Sequence, residues 1–359
     1  MFIFDFWQLI YNQIPKMDKL IRFNNDDLAS LLKIRTNESK FGEQVKLLPS
    51  SANIYDSLST LDVKYVIFGI KEDVGVFANY GKPGTSMAWE ATIKVLLNVQ
   101  NNAHTHPSKV LLLGYLDFSK VMEKLASYDQ TLKKDINKAR KDVAKIDKHV
   151  AFLVHEVVRA GKIPIIIGGG HNNAYGNIKG TSLALKKMVN AINFDAHTDF
   201  RTEEGRHSGN GFSYAYAEGF LKNYFIFGLH ENYTSDSIFK QLSRLKNIRF
   251  NTYESLCVRH ETNFENAMKK ASEFISDRPF GLEIDCDAIE NIPSSAMTPS
   301  GFSVQRAREF VHHFGKLENV KYLHICEAAP TPETETKVGK LITYLITDFI
   351  RANQSKISD

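Results

Sequence analysis

Asp195, His197 and Asp199 alternate along the stretch Asn193-Phe194-Asp195-Ala196-His197-Thr198-Asp199-Phe200-Arg201. In an extended backbone, residues two apart point to the same side, so two carboxylates and an imidazole would converge at one strand end. Buried there, such charges are costly unless a cation neutralises them. Mixed oxygen and imidazole donors suit Mn, Zn, Fe or Co better than Ca. Taken alone, the stretch reads equally well as an Asp-rich capping turn with an exposed His. Other segments decide between the two.

His171 follows Gly168-Gly169-Gly170 at the end of the β-branched run 163–167. The glycines permit unusual torsions and would let His171 turn inward. Neither GxGxxG nor GxxxxGK[ST] is present, so a nucleotide cradle is a weak reading of them. Asp285 and Asp287 end the apolar run 280–287, and Glu327 follows the run 320–326. One divalent ion cannot comfortably use two His and four Asp. Two ions about 3.5–4 Å apart can, if carboxylates bridge them, and such a pair makes hydroxide from water at neutral pH. With no obvious redox partner in the sequence, hydrolysis is the natural chemistry.

The elements that must position these groups alternate. Strands are expected at 63–70, 109–115, 163–167, just before Asp195, and at 224–230, 280–287 and 320–326. Helices are expected at 89–99, 128–160, 183–187, 264–275, 304–314 and 338–350. That alternation argues for a parallel sheet with helices on both faces, whose functional groups gather at the carboxyl ends of strands. The lysines and aspartates early in 128–160 read as a solvated face. The loop 206–212 reads as polar, flexible and suited to substrate contact. Residues 1–60 read as helices and loops appended to a single domain over 61–359, with a capped short helix at 26–32.

Composition closes off other classes. The net charge of +4, from 45 basic and 41 acidic residues, gives no argument for nucleic acid or membrane binding. Cys257, Cys286 and Cys326 form no CxxC and read as buried reduced thiols of a cytoplasmic protein. The apolar start, residues 1–7, is interrupted by Asp5 and lacks a basic region and a cleavage site, so it is a poor signal peptide. No stretch is long and apolar enough to span a bilayer.

With these residues in hand, the chain resembles the ureohydrolase family of arginase, agmatinase and formimidoylglutamase. The matching motifs are Gly169-Gly170-His171, Asp195-Ala196-His197-Thr198-Asp199, and Asp285-Cys286-Asp287 with Pro293 and Pro299-Ser300-Gly301 downstream. Glu327 with Pro330 matches a late Glu-x-x-Pro. Order and spacing agree from about residue 64 to the C-terminus. The resemblance implies a three-layer α/β/α sandwich around a parallel sheet and two Mn2+ per subunit. His171, Asp195, Asp199 and Asp285 would hold one ion, and Asp195, His197, Asp285 and Asp287 the other. It further implies attack of a metal-bridging hydroxide on an amidine or guanidine carbon, with Asp199 relaying a proton and Glu327 pairing with the amidinium. Homo-oligomers are also a family habit.

Within the family the resemblance is to formimidoylglutamase. Where arginases and agmatinases carry His-Gly, this chain has Ser208-Gly209, with His207 one position early and Asn210 beside them. Arg201 stands two residues after Asp199, where arginases carry Asn. A guanidinium there could clamp a substrate carboxylate bidentately. N-formimidoylglutamate has two carboxylates and agmatine none, while the α-ammonium of arginine would be repelled. A surface salt bridge is the plainer reading of Arg201. A swing of His207 into the family His position keeps arginase or another guanidino-acid hydrolase as an alternative. A non-catalytic binding protein of the same fold is the alternative from another class.

Overall fold

The computed structural model describes residues 18–49 and 53–354. Residues 1–7 therefore lie outside the described residues. Nine strands among those described form one sheet: β1 (Leu20–Arg22), β2 (Tyr65–Lys71), β3 (Val110–Asp117), β4 (Ile163–Ile167), β5 (Val189–Phe194), β6 (Leu221–Leu229), β7 (Ile248–Thr252), β8 (Phe280–Asp285) and β9 (Val320–Cys326). Their order across the sheet is β1-β3-β2-β4-β9-β8-β5-β6-β7, parallel throughout except for β1. Strands β5 and β8 are buried at every residue. A strand covered on both faces needs an unbroken apolar run rather than alternation, which is why these segments read so clearly in the sequence.

Helices cover both faces. Ala88–Leu96, Phe264–Ile275, Val304–Gly315 and Glu335–Gln354 pack on one, and Lys133–Arg159, Asn173–Leu185, Gly211–Ala217 and Asp236–Arg244 on the other. This is the expected three-layer α/β/α sandwich. The helix Lys133–Arg159 has no side-chain cap at Leu132, a loss of about 1 kcal/mol. Its stripe of Ile136, Val143, Ile146, Val150, Leu153 and Val157 is almost wholly buried. At roughly 1.5–3 kcal/mol for each such side chain, burial decides that it is a helix. Among the described residues, no helix is long and apolar enough to cross a membrane.

Four expectations need correction. The segment before residue 60 is not only helix and loop: Leu20–Arg22 pairs antiparallel with β3, Leu20 opposite Leu116 and Arg22 opposite Gly114. The short helix expected at 183–187 is the end of Asn173–Leu185, which starts just beyond His171. Strand β7 and the helix Asp236–Arg244 were not anticipated. Cys286 and Cys326 are buried and unpaired as expected, but Cys257 is exposed.

Candidate metal centre and its mouth

The four central strands β4, β9, β8 and β5 are neighbours, and each delivers a polar residue at its carboxyl end: His171, Glu327, Asp285 and Asp195. The turn after β4 is built by glycine. Gly168 and Gly169 have left-handed backbones, φ +81° and +71°, and a Cβ on Gly169 would lie 2.4 Å from Asn173 Nδ2. Glu72, wholly buried, holds this turn. Its Oε1 accepts from the Gly170 amide at 2.9 Å and from the side-chain amides of Asn172 and Asn173 at 3.2 and 2.7 Å, and its Oε2 accepts from the Gly75 amide at 3.0 Å. Burial pushes the Glu72 pKa up, against the pull of those donors.

Two candidate ligand groups that contain aspartates result. His171, Asp195, Asp199 and Asp285 converge in one, and Asp195, His197 and Asp287 in the other, with donor atoms of each group within 4.8 Å of one another. His171 Nδ1 lies 2.8 Å from Asp199 Oδ2, 3.0 Å from Asp285 Oδ2 and 3.4 Å from Asp195 Oδ2. His197 Nδ1 lies 3.0 Å from Asp287 Oδ2. The convergence is not the strand alternation expected from the sequence. Strand β5 ends at Phe194, the His197 amide turns back onto Asp195 Oδ1 at 2.7 Å, and Asp199 has φ +42°. A turn with a left-handed aspartate brings the three side chains together, at the strain cost often found in functional sites.

Electrostatics make this a candidate cation site. Asp195, Asp199, Asp285 and Asp287 are all buried, and Oδ1 of Asp287 has no hydrogen-bond partner. Burial, Asp287 and Asp195 push the Asp285 pKa well above the carboxylate range. Burial opposes charge on His197, but Asp287 and Asp195 overcome it and raise its pKa well above the usual value. A crowd of buried carboxylates that draws protons onto its imidazoles calls for positive charge. Oxygen and imidazole donors in two adjoining groups fit a pair of manganese-like ions.

Glu327 closes the cluster from the β9 side. It too has a left-handed backbone, φ +59°. Its Oε1 accepts from the His171 amide at 2.7 Å and its Oε2 from the Ser295 hydroxyl. Burial pushes its pKa up to about 8, opposed by those two donors and helped by Asp287 and Asp199.

The mouth differs more from expectation. The segment 206–212 is buried and bonded rather than flexible. His207 is wholly buried, its Nδ1 accepts from the Gly209 amide at 3.1 Å, and burial beside Arg140, Arg206 and Arg201 holds its pKa down at about 3. Its carboxylate neighbour is Glu204, 3.6 Å from Nε2, and the structure does not group it with the candidate metal-ligating aspartates, so it is not poised to enter the family His position. Asn210 spends its side chain inside the loop. Its Oδ1 accepts from the His207 amide at 3.0 Å and from Arg206, and its Nδ2 donates to the Thr202 and Gly205 carbonyls. It has no donor left for a substrate. Arg201 and Ser208 do stand together. Asn79, which the sequence did not single out, joins them by accepting from Arg201 Nη1 at 3.3 Å and donating to Ser208 Oγ at 3.1 Å. Arg201 is exposed and makes no ion pair among the described residues, so the salt-bridge reading of it is not supported.

Arg206 is the residue that fixes this loop, and it was also missed. It is buried between the rings of Tyr175 and Tyr214, donates to Asp147 Oδ2 at 2.9 Å and to the Asn172 carbonyl at 2.8 Å. Its partner lies 59 residues away in the chain, so no local signal marks the pair. Arg206→Ala leaves Asp147 buried and unpaired. Urea denaturation should show a loss of about 3–5 kcal/mol, and a loss under about 1 kcal/mol would mean that water replaces the guanidinium.

Sheet order and ligand set together define a metallohydrolase of the arginase type. The chain belongs to the arginase family, whose model matches residues 63–350. It is similar to the formimidoylglutamase of Streptococcus gordonii, 24% identical over 300 residues that span 79% of this chain and 83% of that one. It is also similar to the formimidoylglutamase of Chromobacterium violaceum, 30% identical over 184 residues, or 50% of this chain and 52% of that one. Among solved structures, the formiminoglutamase of Trypanosoma cruzi with Mn2+ superposes with a TM-score of 0.69 at 20% identity, covering 88% of this chain and 98% of that one.

Proposed function

We propose that this chain is a binuclear manganese hydrolase that converts N-formimidoyl-L-glutamate and water to L-glutamate and formamide. The observation that carries the reading is the set His171, Asp195, His197, Asp199, Asp285 and Asp287, in which all but the partly exposed His197 are buried. Curated relatives named formimidoylglutamase support the substrate. So does the exposed Arg201 at the mouth, free of carboxylates. Two manganese ions would supply Lewis acidity and lower the pKa of coordinated water.

The residues of the chain do the rest. Glu327 receives the planar amidinium, whose charge restores its ionisation, and a fork of N–H donors suits a carboxylate. Asp199 takes a proton and returns it to the departing α-amino nitrogen of glutamate. Arg201 binds a carboxylate of the substrate, with Ser208 beside it and Asn79 holding both. Arginine fits less well, since the Arg201 charge opposes its α-ammonium. The reading carries with it a place in histidine breakdown, a cytoplasmic location and a homo-oligomer.

The test is product release after activation with Mn2+ from a panel of N-formimidoylglutamate, arginine, agmatine and 4-guanidinobutyrate. Glutamate from the first alone is expected. Urea from arginine would make the chain an arginase. Silence on all four with no metal bound would turn the reading to a non-catalytic protein of this fold.

A further inference from the structure

Beneath the candidate ligands lies a second polar row that the hydrolase reading leaves unused. Asn193, Glu283 and His324 are register partners across β5, β8 and β9. All three are wholly buried, inside a sheet whose other buried residues are mostly apolar. A buried carboxylate in such a place is expensive unless it is fully bonded and has a task. Glu283 is bonded on two sides. Its Oε1 accepts from the Tyr322 hydroxyl at 2.6 Å and its Oε2 from His324 Nδ1 at 2.5 Å. Room for the phenol exists only because residue 281 is glycine: a Cβ there would lie 2.0 Å from Tyr322 Cζ.

The third neighbour of Glu283 is His171. Its Nε2 is buried without a hydrogen-bond partner and stands 3.6 Å from Glu283 Oε2, while its Nδ1 faces the aspartates. Phe212 meets the ring edge-on at 5.2 Å and fixes its plane. Cys326 and His324 border the same ring, but the thiol donates to the Ile284 carbonyl at 3.6 Å and His324 Nδ1 is committed to Glu283.

We infer that Glu283, held in place by Tyr322 and His324, is a positioning residue that takes the Nε2 proton of His171 in a hydrogen bond and so presents the Nδ1 lone pair to a metal ion. A ligating imidazole needs its other nitrogen fixed by an acceptor, which sets both tautomer and ring orientation. The inference rests on the metal reading above. It assigns the asymmetry of the pair: the ion held by His171 depends on Glu283, and the ion held by His197 does not.

Manganese binding to the metal-free full-length chain tests it, read as free Mn2+ by electron paramagnetic resonance and independent of turnover. The wild type should bind two equivalents. Glu283→Gln should weaken one of them by about 10- to 100-fold and leave the other within twofold. Tyr322→Phe, which removes one donor from Glu283 and keeps its charge, should weaken the same equivalent by a smaller factor. It serves as the reading if the Gln variant does not fold. Unchanged binding of both equivalents, or equal weakening of both, overturns the inference while the metal reading stands. A wild type that binds no manganese overturns the metal reading itself.

Discussion

Asp285→Asn should separate stability from activity, with opposite signs. Asp285 is buried and shares its neighbourhood with Asp195, Asp199 and Asp287, all buried as well. In the metal-free protein its pKa is raised, by burial first and by Asp287 and Asp195 next. The folded state therefore holds this proton above the pH at which the unfolded chain releases it. Metal-free stability falls as the pH rises from the ordinary carboxylate range toward the raised value. Asn removes that term and can still accept the Asp287 amide, now 2.8 Å from Asp285 Oδ1. At neutral pH and in chelator, the thermal midpoint should rise, with a gain on the order of 1–3 kcal/mol. Turnover should fall by about 10³-fold or more, because a ligand deletion removes some 4 kcal/mol of transition-state stabilisation. A variant that keeps two manganese ions and near-wild-type turnover would remove Asp285 from the centre.

Arg201→Ala should act on the substrate and not on the fold. The guanidinium is exposed, and its backbone amide keeps its bond to the Gly209 carbonyl at 3.0 Å whatever the side chain. The thermal midpoint should therefore not move. A charge-assisted hydrogen bond to a carboxylate contributes about 1.5–3 kcal/mol, so KM for N-formimidoylglutamate should rise roughly 10- to 150-fold. The change at kcat should be small, since the contact is made before and during reaction alike. Raising the salt should raise KM in the wild type and barely alter it in the variant. An unchanged KM would mean that another group binds the carboxylates, and the case for a dicarboxylate substrate would lose its main support from this chain.

The parts of the site that were legible in the sequence are those whose chemistry is local. His171 after its glycines, the Asp195-His197-Asp199 triplet and the Asp285-Asp287 pair each sit where a strand ends, and a buried parallel strand announces itself as an apolar run. The geometry of the triplet was misread, because residue types gave no sign that Asp199 would adopt a left-handed backbone. The helix Asn173–Leu185 was nearly lost for a related reason. Gly176 and Gly180 weaken helix propensity, yet a Cβ at either would meet Val150 Cγ1 at 2.7 Å or the Ala151 carbonyl at 2.4 Å. The glycines are there for the neighbouring helix, which no local window contains. Asn79, Arg206 and Glu283 were missed because their roles come from partners 129, 59 and 41 residues distant. Three-residue β1 was too short for any periodicity to register.

The order of strands across the sheet has a consequence for how the protein is made. The two central strands, β9 and β8, come last in the chain, between β4 and β5, which are made long before. A ribosome that has released everything through β7 has delivered two half-sheets with no hydrogen-bonded seam between them, one carrying His171 and the other Asp195, His197 and Asp199. Each half exposes a long parallel edge, the kind of surface that pairs with the wrong neighbour. Synthesis must run on to Cys326 before the seam closes, and only then do the candidate metal ligands share one pocket. Until then the nascent chain carries both open edges together with an incomplete set of candidate ligands.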